Sequence, residues 1–129
     1  HLYICGPKGM IDWVVNEASK LGWPNEAIHY EEFLAPKPGK PFQVKLSASN
    51  KVVNVGENES LLEAIEREGV DAPYLCRGGA CGQCETSVIE ADGEFIHRDH
   101  WLEDDDKSSG KKIMPCVSRF DGKTLVLDR

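Results

Sequence analysis

The chain has no apolar run approaching the ~20 residues that a membrane-spanning helix needs. It has no G-x-x-x-x-G-K-[ST] loop to cradle a nucleotide phosphate and no internal repeat. No nucleophile–base constellation is visible; Ser60, Ser87 and Ser118 have cap or strand explanations. A basic excess is also missing. The formal charge of −7 makes nucleic acid a poor partner. No signal peptide is visible and the cysteine count of five is odd, so an oxidised disulfide framework fits badly. These absences point to a cytoplasmic chain with neither a membrane nor a nucleic-acid partner. With 129 residues, 40% of them hydrophobic, it is long enough to bury a real core.

What is present is concentrated in one loop. Cys76, Cys81 and Cys84 lie in Cys76-Arg77-Gly78-Gly79-Ala80-Cys81-Gly82-Gln83-Cys84, and Cys116 follows later. This C-x4-C-x2-C…C spacing is the plant-type [2Fe–2S] ligand pattern, with the four thiolates shared between two irons. A loop that supplies three ligands must wrap the cluster and turn its N–H groups inward at the sulfurs. Bulky side chains would hold the backbone off. Gly78, Gly79, Ala80 and Gly82 are small, and glycine reaches the left-handed region that wrapping requires. Arg77 to Gln83 are therefore expected to surround the cluster without ligating it. Structural zinc is the rival metal, but its cysteines usually come as two separated pairs.

Composition breaks once, at Ala35-Pro36-Lys37-Pro38-Gly39-Lys40-Pro41, which reads as an extended linker over residues 35–41. Residues 1–34 read as strand, helix, strand. Leu2 to Cys5 is a short apolar run expected to be buried, and Met10, Ile11, Val14, Val15, Ala18 and Leu21 recur at helical spacing. Ala27 to Phe33 forms the second strand. The chain starts at His1, with a strand and nothing before it, so residues 1–34 are expected to be a piece of a longer polypeptide.

Residues 42–129 read as α+β. Phe42-Gln43-Val44-Lys45-Leu46 alternates as a half-buried strand does, and Val52 to Val55 makes a hairpin with it. Ser60 and Glu63 have capping-box spacing ahead of a short helix, and Gly69 stops it. Thr86–Ile89, Lys112–Val117 and Thr124–Leu127 are the later strands. The polar stretch from Asp92 to Gly110 is expected to be irregular. Within it, His97 and His100 lack the Cys-x-His pairs of a Rieske-type centre and read as a surface or loop-anchoring cluster. Glu103-Asp104-Asp105-Asp106 reads as a solvated run, with docking onto a basic partner as the alternative.

The residues from Pro41 to Arg129 resemble plant-type ferredoxins, on the nine-residue cysteine loop, the late Cys116 and the strand–strand–helix entry. The resemblance implies a β-grasp fold with the [2Fe–2S] cluster near one edge of a mixed sheet. The first 34 residues resemble the end of a ferredoxin-NADP+-reductase-type, Rossmann-like nucleotide domain. There Tyr3-Ile4-Cys5-Gly6-Pro7 matches a turn beside the nicotinamide and Ile28–Phe33 matches the closing strand. The combined order resembles phthalate-dioxygenase-reductase-like oxygenase reductases. It implies that an intact parent protein uses FMN and NADH and feeds an oxygenase, a Rieske non-haem iron type ahead of a haem-thiolate one. Cys5, Gly6 and Pro7 would contact nicotinamide in that parent only. The chain's partners would be the oxygenase and the flavin and NAD domains of the same polypeptide. A stand-alone ferredoxin serving a separate reductase is the alternative; a zinc-binding interaction domain ranks below both.

Overall fold

Alternation builds the larger unit. Phe42, Val44 and Leu46 are buried while Gln43 and Lys45 face outward, so β3 (Phe42–Leu46) presents one apolar face. A short turn returns the chain as β4 (Lys51–Val55), which pairs antiparallel with β3 from Leu46↔Lys51 to Phe42↔Val55. The helix α2 (Leu61–Arg67) follows and lays Leu61, Leu62, Ala64 and Ile65 on the buried side. Ser60 caps it as its spacing suggests. Its hydroxyl accepts from the Glu63 N–H at 3.1 Å, and the Glu63 carboxylate accepts from the Ser60 N–H at 2.8 Å. Gly69 beyond the helix is left-handed, at φ 72°.

The computed structural model describes residues 1–6, 8–32 and 37–129. The chain divides into two compact units, 1–35 and 36–129. In the second unit β5 (Thr86–Ile96), α3 (Asp104–Ser109), β6 (Lys112–Ile113) and β7 (Arg119–Leu127) complete a five-stranded mixed sheet of order β4-β3-β7-β5-β6. β7 runs parallel to β3 and antiparallel to β5. The core lies between this sheet and α2, with Phe120, Leu46, Leu61, Leu62, Ile65 and Met114 fully buried. A mixed sheet grasping one helix is the β-grasp arrangement.

The stretch after Asp92 is not irregular. β5 continues to Ile96 because β7 pairs with it from Val88 onward, through two register shifts near Val88 and Asp92. Glu90, Asp92 and Glu94 are exposed, so no apolar alternation marks this half of the strand in the sequence. The acidic run begins α3, with Asp104, Asp105 and Asp106 in its first turn, where carboxylates favour the helix dipole. Lys112–Val117 is shorter as a strand than its pattern suggests. β6 stops at Ile113, and the Val117 and Ser118 N–H groups both turn back to the Met114 carbonyl.

Two arginines, one of them buried, tie the chain entering this unit. Arg119 is 2% exposed and donates to the carbonyls of Gly39, Lys40, Gly56 and Glu59. Arg98 donates to the Lys37 and Pro38 carbonyls. Residues 37–40, read from the prolines as linker, are therefore bonded to the second unit. Ala35 and Pro36 lie outside the described residues.

The first unit is a β-α-β element. β1 (Leu2–Gly6) pairs in parallel with β2 (Ile28–Glu32), and α1 (Lys8–Lys20) connects them. Ile11 and Ala18 are the buried residues of α1. β1 is not the buried strand its composition suggests. Tyr3 is 76% exposed, Tyr30 on β2 is 63% exposed, and Cys5 is exposed. Phe33 and Leu34 lie outside the described residues. Among the described residues, no helix is long and apolar enough to cross a membrane.

Candidate metal centre

Three of the four cysteines come from the loop between α2 and β5, and the fourth from the turn between β6 and β7. The loop has little regular structure and gets its shape from backbone dihedrals. Arg77, Gly79 and Gly82 are left-handed, with φ of 53°, 78° and 77°. Gly79 also has no room for a side chain. A Cβ there would lie 2.8 Å from Val117 Cγ2 and 3.0 Å from the Asp99 Cα. At Gly82 a Cβ would strike the Trp101 ring. The glycines thus let the loop curl and let later chain segments close over it.

The sulfurs are brought together as two pairs. Cys81 lies close enough to act on the Cys76 thiol, and Cys116 close enough to act on that of Cys84. Cys76 is exposed and Cys81 half-buried, whereas Cys84 and Cys116 are each 4% exposed. Backbone donors converge on them. Burial pushes the Cys76 thiol up. The N–H groups of Gly78, Ala80 and Cys81 and the Cys81 thiol outweigh that and bring it down to about 6. The Gly78 N–H lies 3.3 Å from Cys76 Sγ. The Cys116 thiol pulls Cys84 down to about 7, against burial. Cys116 moves the other way, raised first by its bond to Cys84 and then by burial, although the Gly79 N–H donates to it.

This environment is built for thiolates. N–H groups aimed at sulfur stabilise negative charge, which is what a cationic iron centre requires of its ligands. The pairing also bears on which centre fits. Two pairs of thiols suit two irons.

Residues 44–121 match the family described as the 2Fe-2S iron-sulfur cluster binding domain. The chain belongs to that family. Its cofactor is accordingly a [2Fe–2S] cluster. Members of this kind recur inside larger redox proteins. The beta subunit of a heme-dependent oxidative N-demethylase from Ectopseudomonas mendocina is 45% identical over 128 residues, covering 99% of this chain and 40% of the relative. A solved phthalate dioxygenase reductase, a modular structure for electron transfer from pyridine nucleotides to [2Fe–2S], is 38% identical. It superimposes with a TM-score of 0.65 over 100% of this chain and 40% of its own. A solved structure of Pseudomonas putida NdmA with the ferredoxin domain of NdmD is 34% identical with a TM-score of 0.64, covering 70% of this chain and all of that domain. The chain spans about two fifths of the length of the curated relatives it matches. It is phthalate-dioxygenase-reductase-like.

Within this ferredoxin domain, two residues outside the cysteine motif shape the loop and were not singled out from sequence. Asp99, buried, accepts from the Leu102 N–H at 2.8 Å and from the Ser118 hydroxyl at 3.1 Å. Burial opposes its charge, but these bonds and Lys107 more than offset burial and hold the carboxyl below its usual range. The adjacent His100 N–H donates to the Gly79 carbonyl at 2.9 Å. Trp101, 48% exposed, covers Gly82 and donates through its ring N–H to Glu85 at 3.1 Å. A tryptophan in an otherwise polar stretch was the available signal. His97, by contrast, stacks on Phe95 with ring centroids 5.6 Å apart. Gln83 and Ala80 are exposed. Cys5 and Gly6 belong to the other unit, at the end of β1, and Pro7 lies outside the described residues.

Proposed function

We propose that Cys76, Cys81, Cys84 and Cys116 hold the [2Fe–2S] cluster and that the chain is the terminal electron relay of an oxygenase reductase. When bound, such a cluster carries one electron at a time. The observation that carries the reading is the left-handed loop that presents Cys76, Cys81 and Cys84 beside the Cys116 turn, with the Gly78 N–H on Cys76 Sγ. Cys84 and Cys116 are shut away from water, so the exposed Cys76 side is where an acceptor approaches. Gly78, Gly79 and Ala80 supply N–H donors, and Gly82 leaves room for Trp101. Arg77 and Gln83 flank them without ligating.

We further propose that residues 1–34 are the end of a nucleotide-binding domain, followed by the 35–41 linker and the 42–129 ferredoxin domain. In the intact protein Cys5, Gly6 and Pro7 contact nicotinamide, and FMN and NADH supply the electrons. The β-α-β form of the first unit and the similarity to phthalate dioxygenase reductase, a modular structure for electron transfer from pyridine nucleotides to [2Fe–2S], support this. The acceptor is an oxygenase, of Rieske non-haem iron type in the first reading. A haem acceptor is the second reading, favoured by the name of the 45% identical heme-dependent relative. Thiolate ligation suits the reducing cytoplasm.

Anaerobic reductive titration tests the relay. Uptake of about one electron per chain, with partial bleaching of the visible spectrum, is the expected result; no uptake refutes it. The gene sequence upstream of His1 tests the parent: a start codon immediately upstream contradicts the fused reductase.

A further inference from the structure

Arg77 follows Cys76 directly and is left-handed, at φ 53°, a conformation that L residues with a side chain resist. Something must hold it there. Its guanidinium grips Glu66 on α2 with two bonds, Nη1 to Oε2 at 3.0 Å and Nη2 to Oε1 at 2.7 Å. The same group lies over the Tyr74 ring, 3.8 Å from its centroid. α2 is a firm anchor, with its capping box closed and its inner face buried. The next peptide N–H, that of Gly78, points at Cys76 Sγ. The dihedrals of residue 77 set where that N–H points.

We propose that Arg77 is a positioning residue for the redox centre. The Glu66–Arg77–Tyr74 clamp holds residue 77 left-handed and so keeps the Gly78 N–H on Cys76 Sγ, the exposed one of the four ligand sulfurs. An N–H bond to a ligand sulfur favours the reduced, more negative state, so the clamp raises the reduction potential. The proposal rests on Cys76 being a cluster ligand. The rival account is that the Arg77 charge alone acts on the cluster. Arg77 is 42% exposed at its side chain, where solvent screens a bare charge.

Both accounts lower the potential in Arg77→Ala, but they differ in sign at Glu66→Gln, where loss of a bare negative charge would raise it. One-electron midpoint potentials of the cluster-loaded chain, followed by EPR, compare wild type with Arg77→Ala, Arg77→Gly, Arg77→Lys and Glu66→Gln. If the clamp acts, Arg77→Ala and Glu66→Gln both lower the potential. Arg77→Lys does not restore it, because an ammonium forms neither the fork nor the stack. Arg77→Gly shifts less than Arg77→Ala, because glycine takes the left-handed dihedral without strain. For Arg77→Ala the reduction equilibrium should change by roughly tenfold, which is about 59 mV for one electron. A Glu66→Gln potential above wild type, a wild-type potential in Arg77→Lys, or no shift in any variant overturns the proposal. If Arg77→Ala fails to assemble, the Arg77→Gly and Glu66→Gln pair decides by the same signs. A wild-type chain without the cluster's spectrum overturns the ligand reading beneath it; a normal spectrum with unmoved potentials overturns the clamp alone.

Discussion

Gly78 and Gly79 are neighbours in the same loop, yet alanine should affect them very differently. A Cβ at Gly78 meets only the Cys76 carbonyl oxygen, at an ordinary contact of 3.7 Å. Gly79 has φ of 78°, and its Cβ would press on Val117 Cγ2 at 2.8 Å and on the Asp99 backbone at 3.0 Å. The left-handed dihedral costs an alanine about 1–2 kcal/mol. Overpacking against a backbone that cannot rotate away adds about 1–3 kcal/mol. Gly79→Ala should therefore cost at least about 2 kcal/mol, whereas Gly78→Ala stays within about 0.5 kcal/mol of wild type. For a domain of this size the first is a fall in Tm of at least about 8 °C and the second no more than about 4 °C. Thermal melts by circular dichroism at one fixed scan rate make the comparison. Equal shifts, or a larger one for Gly78→Ala, would refute the account of why the loop is glycine-rich where it is.

Three further outcomes follow from other contacts. Asp99 has a depressed pKa, so its stabilisation is present above the usual aspartate value of about 3.9 and is lost as pH falls through the lower folded value. The Tm gap between wild type and Asp99→Asn should shrink from pH 5 to pH 3; a gap that holds or widens contradicts this. Arg119→Met strips four carbonyls of their buried donor. It should cost at least about 2 kcal/mol and speed amide exchange at Gly39, and an unchanged Tm would show that water replaces the guanidinium freely. Cys5→Ala should leave bound iron unaltered, since Cys5 lies in the other unit; lost iron would mean the fourth ligand is misassigned.

The parts legible in the sequence are those whose signal is local. The cysteine spacing is covalent geometry read along one loop, and Ser60 with Glu63 closes a cap within four residues. The alternation of Phe42 to Leu46 needs no partner to be seen. What escaped was held by distant chain. The second half of β5 has exposed Glu90, Asp92 and Glu94 and exists because β7 pairs with it. The acidic run from Glu103 reads equally as solvent-facing loop or as a helix first turn, and only the fold makes it α3. Asp99 and Trp101 matter because they meet Gly79 and Gly82, some twenty residues earlier, and no periodicity links them. Arg119 carries the same lesson: a charged residue at 2% exposure is invisible to hydrophobic patterning. Cys5 erred in the other direction, since an apolar run suggested burial and a two-stranded sheet leaves it exposed.

The central claim is that four paired thiols hold a two-iron cluster, and metal analysis of the purified chain tests it most directly. Iron and acid-labile sulfide should each come to about two per chain, with no stoichiometric zinc. One zinc per chain with no sulfide would contradict the account.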